Sequence, residues 1–86
     1  MAEMETIARS VKDIANIIQR HRKQRKFTQA DLGERMRVRQ ATVSNLESGE
    51  DAIRLKTLMD ALSALDLELL IRPRTVKSVK DIGELF

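Results

Sequence analysis

Small polar side chains at residues 40–48 have the chemistry and the spacing to recognise the edges of DNA bases. In a helix, where each residue turns by about 100°, Val43 and Leu46 share one side. The other side then carries five small or polar residues: Gln40, Ala41, Ser44, Asn45 and Ser48. Glutamine can form two hydrogen bonds with adenine, alanine can contact the thymine methyl group, and small side chains let a helix enter the major groove. The pattern predicts a base-reading face. A merely solvated face is the alternative, but it would more typically carry Lys/Glu pairs.

Positive charge is concentrated just before this segment. Residues 20–39 contain eight Lys or Arg and two acidic residues, a net charge of +6, whereas the rest of the chain carries −3 and the whole chain +3. Arg39, the last of these cations, can reach guanine or phosphate. The distribution favours contact with a polyanion such as a phosphate backbone. On charge alone, a solvated cationic helix face explains it equally well.

Residue types that support catalysis or metal binding are scarce. The chain has a single histidine, His21, and no cysteine, and it lacks a glycine-rich phosphate loop. No other candidate ligands lie at metal-binding spacing from His21, so it is interpreted as a helix-surface residue. We therefore expect no enzyme activity, no metal and no cofactor.

Length and composition limit the chain to one small domain. Its 86 residues contain 42% apolar and 34% charged residues, and no apolar run approaches the ~20 residues that span a bilayer. A domain of this size buries only about 60% of the surface of its unfolded chain, so pairing with a second copy would stabilise it. The absence of cysteine and of an apolar N-terminal signal segment predicts a soluble cytoplasmic protein without membrane contact.

Two capping patterns mark the first two helices. Ser10 with Asp13 predicts a helix over residues 11–25, which leaves residues 1–10 as an arm or an extra helical turn. Thr28 with Asp31 predicts a second helix over residues 28–36. Phe27 and Leu32 flank this cap as a hydrophobic staple.

Two further helices follow at short spacing. Only residues 37–39 separate the second helix from a third over residues 40–48, so the two must cross steeply, as in a helix-turn-helix. Gly33, inside the second helix, predicts close approach of another backbone. A fourth apolar-periodic helix runs from Leu55 to Leu65, after a loop that begins at Gly49.

The pattern changes after Asp66. Residues 67–73 partly alternate and end at the only proline, which predicts a strand. A lone strand needs a partner, so we expect it to pair with the same strand of a second copy. The predicted dimerisation residues are Leu67, Leu69, Leu70 and Ile71. A fifth helix is the alternative for this segment. Residues 74–86 are expected to form a flexible tail.

Several of these residues together resemble the Xre/Cro family of repressors. The resemblance covers roughly residues 14–66 and rests on residues 28–33, Val38, residues 40–47 and Gly49. It implies an all-α, lambda-repressor-like domain of four to five helices over residues 11–66, which acts as a homodimer on a palindromic operator. Gln29 would then hold a phosphate, and three side chains would face base edges: Gln40, Ala41 and Ser44. The full set of expected DNA-binding residues is Thr28, Gln29, Arg37, Arg39, Gln40, Ala41, Thr42, Ser44, Asn45 and Lys56.

The same resemblance implies a structural role for two charged residues and identifies two departures from the family pattern. Arg22 and Glu47 would form a partly buried ion pair, because an unpaired Glu47 beside the apolar stripe would be costly. Lys26 and Arg37 occupy positions where the family usually has glycine. A positive φ is expected at each position, and each substitution adds a cation near the expected phosphates.

Residues 55–58 and 61–74 narrow the resemblance to HipB-type antitoxins. Members of that branch are similar in having a dimer-forming strand and a C-terminal tail. They repress their own operon and neutralise a HipA-type kinase toxin. The resemblance implies that Ile82, Leu85 and Phe86 anchor the tail in a toxin groove. An inert solubilising tail is the alternative.

Three classes of function are compatible with these observations. The first is a DNA-binding antitoxin, and the second is a stand-alone repressor of phage type, which shares every DNA-facing residue with it. The third is a helical adaptor that binds only protein. The small polar face of residues 40–48 argues against an adaptor.

Overall fold

Four α-helices make up the regular structure of the computed structural model, which describes residues 5–74. They are α1 (Val11–Gln24), α2 (Gln29–Met36), α3 (Gln40–Glu47) and α4 (Leu55–Ala64). The all-α class and the four predicted helices are confirmed, with every boundary within one residue of the prediction. No helix within residues 5–74 is long and apolar enough to cross a membrane.

Side-chain caps explain where α1 and α2 begin. The Ser10 hydroxyl accepts a hydrogen bond from the N–H of Asp13 at 3.1 Å. The Asp13 carboxylate accepts in turn from the N–H of Arg9 at 2.9 Å, one residue before the predicted cap. At α2 the two residues form a complete capping box: Thr28 Oγ1 accepts from Asp31 N at 3.0 Å, and Asp31 Oδ2 accepts from Thr28 N at 2.8 Å. The hydrogen bond from the Thr28 backbone, followed by that from its side chain, lowers the pKa of Asp31.

Each helix is followed by a residue in the left-handed conformation. Gly49 follows α3 with φ of 80°, but the other three positions carry side chains: Lys26 (60°), Arg37 (60°) and Asp66 (58°). A non-glycine residue in this region costs about 1 kcal/mol or more. The positive φ expected at Lys26 and Arg37 is therefore confirmed, and Asp66 is a third such site.

The residue that follows each of these three positions shows why the chain changes direction there. Each donates its N–H to the carbonyl five residues earlier, at 2.7–3.1 Å, which is the hydrogen bond of a Schellman motif. Each is also a partly buried hydrophobic residue packed against the core: Phe27, Val38 and Leu67. Burial of these side chains fixes the directions in which the chain leaves α1, α2 and α4.

The hydrophobic core draws on all four helices. Its buried members are Ile18, Leu32, Met36, Val43, Leu46, Ala61 and Leu65. Three apolar residues of the predicted helical stripes lie instead at the surface: Val11, Leu55 and Met59 are 39%, 68% and 44% exposed. Spacing alone places these residues toward one side of their helix and does not show whether another element covers that side.

Gly33 sets the distance between α2 and the turn that follows. A Cβ at this position would lie 2.9 Å from the carbonyl oxygen of Val38. The predicted close backbone approach is confirmed, and it is what allows α3 to begin only four residues after α2 ends.

The segments on either side of the helices are irregular. Residues 5–9 are non-helical, so an extra turn there is excluded, and Glu5 pairs with Arg72 at 2.9 Å. Residues 67–74 are also non-helical, so a fifth helix at this position is wrong. Leu69, Leu70 and Ile71 are 51%, 61% and 86% exposed. The strand stays a prediction, because its expected partner is a second copy. The predicted tail anchors Ile82, Leu85 and Phe86 lie outside the described residues.

Candidate nucleic-acid interface

The outward face of α3 has the composition that the sequence predicts. Val43, Leu46 and Glu47 are buried against the rest of the domain. The opposite side chains are exposed, and they are Gln40, Ala41, Ser44, Asn45 and Ser48, with Thr42 half-buried at the edge. One helix therefore presents all the predicted base-reading residues on a single surface. We call this surface, Gln40 to Ser48 without the buried positions, the α3 face.

The N-terminal end of α3 is cationic and carries no side-chain cap. Arg39 occupies the N-cap position with extended backbone, and its side chain makes no capping hydrogen bond. Arg39 and Arg37 are both exposed in the turn that precedes the helix. The positive end of the helix dipole and two guanidinium groups thus lie together at this edge of the α3 face.

A buried ion pair fixes α3 to α1. Arg22 Nε and Nη2 donate to the two carboxylate oxygens of Glu47 at 2.6 and 3.0 Å, and the side chains are only 9% and 2% exposed. The remaining guanidinium nitrogen, Nη1, donates to the carbonyl of Phe27 at 2.7 Å. No buried side-chain nitrogen or oxygen within residues 5–74 lacks a hydrogen-bond partner. The ion pair that the family resemblance implies is present, and it joins α1, α3 and the loop before α2.

Gln29, the expected phosphate contact at the start of α2, also bonds within the protein. Its Nε2 donates to Glu47 Oε1 at 3.3 Å, and the side chain is half-buried. Sequence reasoning missed this contact. A buried carboxylate has about four acceptor sites and one arginine fills two of them, so a search for a second donor near Glu47 would have found it.

Two other predicted site residues have internal partners. Lys56 Nζ lies 2.8 Å from Asp60 Oδ2, one turn later on α4, and its side chain is 84% exposed. Thr28 caps α2 through its hydroxyl oxygen, which accepts from Asp31 N at 3.0 Å. An exposed pair of this kind contributes only about 0–1 kcal/mol, so Lys56 can exchange its partner readily.

A second surface groups the predicted dimerisation residues with α4. Leu67 and Leu69 lie beside Met59 and Leu62 along a shallow groove. Leu67 packs on the core, whereas Leu69, Leu70 and Ile71 point largely to solvent. Met59 was not among the predicted residues. Its four-residue spacing from Leu55 on α4 was the available signal.

Within residues 5–74 no group of three or more His, Cys, Asp or Glu side chains could hold a metal ion. The side chains that the fold gathers are amides, hydroxyls and guanidinium groups, which form hydrogen bonds and ion pairs with polyanions.

Known proteins are similar to this chain in sequence and in fold. The family model HTH_3, described as helix-turn-helix, matches residues 18–71. The chain is 34% identical over 56 residues to Antitoxin HipB of Escherichia coli (strain K12), a match that covers 65% of this chain and 64% of that protein. The chain thus spans a little less than two thirds of the length of this curated relative.

Solved structures give a similar picture. A chain of the "HipB-O4 20mer complex" matches with a TM-score of 0.77 and 28% identity, covering 83% of this chain and 100% of that chain. A chain of the "HipA-HipB-O2-O3 complex" matches with the same TM-score, identity and coverage.

Proposed function

The chain belongs to the helix-turn-helix family, and from this premise we propose that it is a sequence-specific DNA-binding repressor that acts as a homodimer on a palindromic operator. We further propose that it is the antitoxin of a HipBA-like system, which represses its own operon and neutralises a HipA-type kinase toxin. The protein would act in the bacterial cytoplasm, on the nucleoid when bound to its operator. It would perform no catalytic step and need no cofactor.

The observation that carries the DNA-binding proposal is the α3 face. Its side chains are small, polar and exposed, while the helix beneath them is held by the buried pair of Arg22 and Glu47. A recognition helix must be rigid, because a hydrogen bond to a base edge breaks if its donor moves by about 1 Å. The α3 face combines this rigidity with a shape that fits the major groove.

The side chains of the interface would make different kinds of contact with DNA. Gln40 and Asn45 have amides that can bond adenine, Ala41 can contact a thymine methyl group, and Ser44 can bond either kind of base. Arg39, at the start of α3, can reach guanine or phosphate. Thr42, half-buried at the edge, would contact the neighbouring backbone.

Phosphate contacts would set the orientation of the domain on the duplex. Thr28 and Gln29 lie at the start of α2, Arg37 lies in the turn before α3, and Lys56 lies in the first turn of α4. Gln29 retains a second amide hydrogen after bonding Glu47, and Lys56 can leave Asp60 at little cost. Contacts of this kind supply affinity and register but carry no sequence information.

The similarity to HipB supports the antitoxin assignment. The structures that match this chain include one of HipB with HipA, and the chain covers all of the matched chain in that complex. A stand-alone repressor would use the same DNA-binding residues, so the toxin partner is what separates the two functions.

The substitution Gln40→Ala tests base reading. It should weaken binding to DNA from upstream of the chain's own gene by about 1–3 kcal/mol and relax the preference at one position in each half-site. Binding should be measured by titration with that duplex and with a duplex of mixed sequence. The control is Gln24→Ala, the same change at an exposed residue of α1, which should alter neither affinity. An equal loss on both duplexes with Gln40→Ala would refute the base-reading role.

Removal of residues 83–86 tests the antitoxin assignment. Operator affinity should be nearly unchanged, because these residues follow the DNA-binding domain, whereas binding to a co-purified kinase should weaken. Pull-down from the native host followed by mass spectrometry identifies that kinase. If no kinase co-purifies, the stand-alone repressor is the better assignment, and if the deletion leaves kinase binding unchanged, the tail has no role in it.

A further inference from the structure

Lys26 has an unfavourable backbone conformation, and its side chain makes no interaction within the described part of the fold that would compensate for it. It lies at the end of α1 with φ of 60°, a region that glycine adopts freely and lysine does not. The residue is exposed, and within residues 5–74 its ammonium group has no hydrogen-bond or ion-pair partner. The fold would be more stable with glycine at this position.

The other two strained side chains provide a comparison. Asp66 has the same conformation after α4, and its carboxylate lies 3.6 Å from Arg25 Nη2 in an exposed ion pair. Arg37, in the turn before α3, belongs to the interface already proposed. Among the three, Lys26 is the one with neither an internal partner nor an assigned contact.

The backbone around Lys26 is tied to α3. Its N–H donates to the carbonyl of Lys23 at 2.9 Å, which fixes the turn. The carbonyl of the following residue, Phe27, accepts a hydrogen bond from Arg22 Nη1, and Arg22 also bonds Glu47 of α3. Arg22 therefore connects α3 to the residue that follows Lys26.

Lys26 also lies three residues before the start of α2. Thr28 and Gln29 follow two and three residues later, and Gln29 bonds the same Glu47 carboxylate. The lysine side chain thus extends from the same short segment as two of the proposed phosphate contacts. Its four-carbon stem and compact charge suit a phosphate oxygen, which can be approached from many directions, better than a base edge.

We propose that Lys26 binds a phosphate of the duplex DNA backbone, and that the strained conformation persists because this contact requires a cation. The inference rests on the proposed DNA-binding function and adds a residue to its phosphate footprint. It implies a conflict between stability and affinity at this position.

The test is Lys26→Gly in the full-length chain. Relief of the strain should raise the Tm by a few degrees, since about 1 kcal/mol corresponds to about 4–8 °C for a domain of this size. Removal of the cation should weaken binding to a mixed-sequence duplex. It should also reduce the slope of log affinity against log salt by about 0.9 for each phosphate that is no longer neutralised, with two such phosphates in a dimer complex.

Two control variants separate a specific phosphate interaction from a general effect of charge. Lys26→Arg keeps the cation and should retain the wild-type salt slope. Arg35→Gln removes one positive charge from α2, where the Arg35 guanidinium stacks 4.2 Å from the centre of the Phe27 ring. Arg35 lies about 120° around α2 from Gln29, so its replacement should change the salt slope much less than Lys26→Gly does.

Each result bears on the proposal. A higher Tm with a smaller salt slope for Lys26→Gly, and a retained slope for Lys26→Arg, would support it. A lower Tm would overturn the strain argument, and a slope equal to that of Arg35→Gln would overturn the phosphate interaction. If the wild-type protein itself shows no salt-dependent affinity for DNA, the proposed function fails, which is a separate result.

Discussion

At the scale of single residues, the pair of Arg22 and Glu47 specifies geometry more than it adds stability. Charges in such a pair must leave water, and a well-packed apolar pair of similar volume is often as stable or more so. Here all three guanidinium nitrogens and both carboxylate oxygens have a hydrogen-bond partner, because Arg22 also bonds the Phe27 carbonyl and Glu47 also bonds the Gln29 amide. The directions of these bonds permit only one placement of α3 relative to α1 and the start of α2.

Removal of one charged partner should therefore destabilise the folded protein far more than removal of both. Arg22→Met leaves a buried carboxylate without its cation and should lower the free energy of unfolding by about 3–5 kcal/mol. The double variant Arg22→Met with Glu47→Leu should recover most of that stability. Urea denaturation measures both, and Lys56→Met, which breaks the exposed pair with Asp60, is the control and should cost at most about 1 kcal/mol. A destabilisation of the double variant as large as that of the single one would contradict this account.

At the scale of elements, the sequence predicted what is determined locally. The Thr28 and Asp31 cap and the close approach at Gly33 follow from interactions within a few residues along the chain. The positive φ at Lys26 and Arg37 was instead expected from the family resemblance, which has glycine at both positions. The starts of α1 and α2 were accurate because side-chain caps are short-range chemistry.

Features that depend on partners distant in the chain were less predictable. The exposure of Leu55 and Met59 depends on which elements pack against α4, and the bond from Gln29 to Glu47 joins residues 18 positions apart. The Arg22 to Glu47 pair spans 25 positions and came from the family resemblance, not from spacing. The pairing of residues 67–73 depends on a second chain, so it stays a prediction.

The junction between α2 and α3 should not tolerate a larger residue at Gly33. In an open helix Gly→Ala would add about 1 kcal/mol of stability. At Gly33, however, the new Cβ would lie 2.9 Å from the Val38 carbonyl oxygen, and moving that backbone should cost about 1–3 kcal/mol. We expect a lower free energy of unfolding and weaker DNA binding, because the turn that positions the α3 face must shift.

Thermal or urea denaturation and duplex titration of Gly33→Ala would measure both effects. Ser63→Ala, on the exposed side of α4, is the control for helix propensity and should leave stability equal or slightly raised. If Gly33→Ala were as stable as the wild type, the close approach would not constrain the junction.

At the scale of the whole molecule, charge and exposed apolar surface are separated along the chain. Residues 20–39 carry a net charge of +6, whereas the five most exposed large apolar side chains lie on α4 and in residues 69–71. Exposed apolar surface of this kind on a small domain indicates an interaction site. A homodimer would cover it and present two α3 faces, as a palindromic operator requires.

Charge placed in residues 69–71 should separate folding of the domain from its pairing with a second copy. Ile71 and Leu69 are 86% and 51% exposed, so Leu69→Asp with Ile71→Asp should leave the helical content unchanged while preventing two copies from associating. A monomer engages one half-site at a time, and without the linked second half-site its operator affinity should fall by about 100-fold or more. Sedimentation and circular dichroism measure the association and the helical content, and duplex titration measures the affinity.

The control is Gln24→Asp, which adds a charge of the same sign at an exposed position of α1 and should leave the dimer intact. A double variant that still sediments as a dimer would place the interface elsewhere, and a monomer with undiminished operator affinity would refute binding by a symmetric pair.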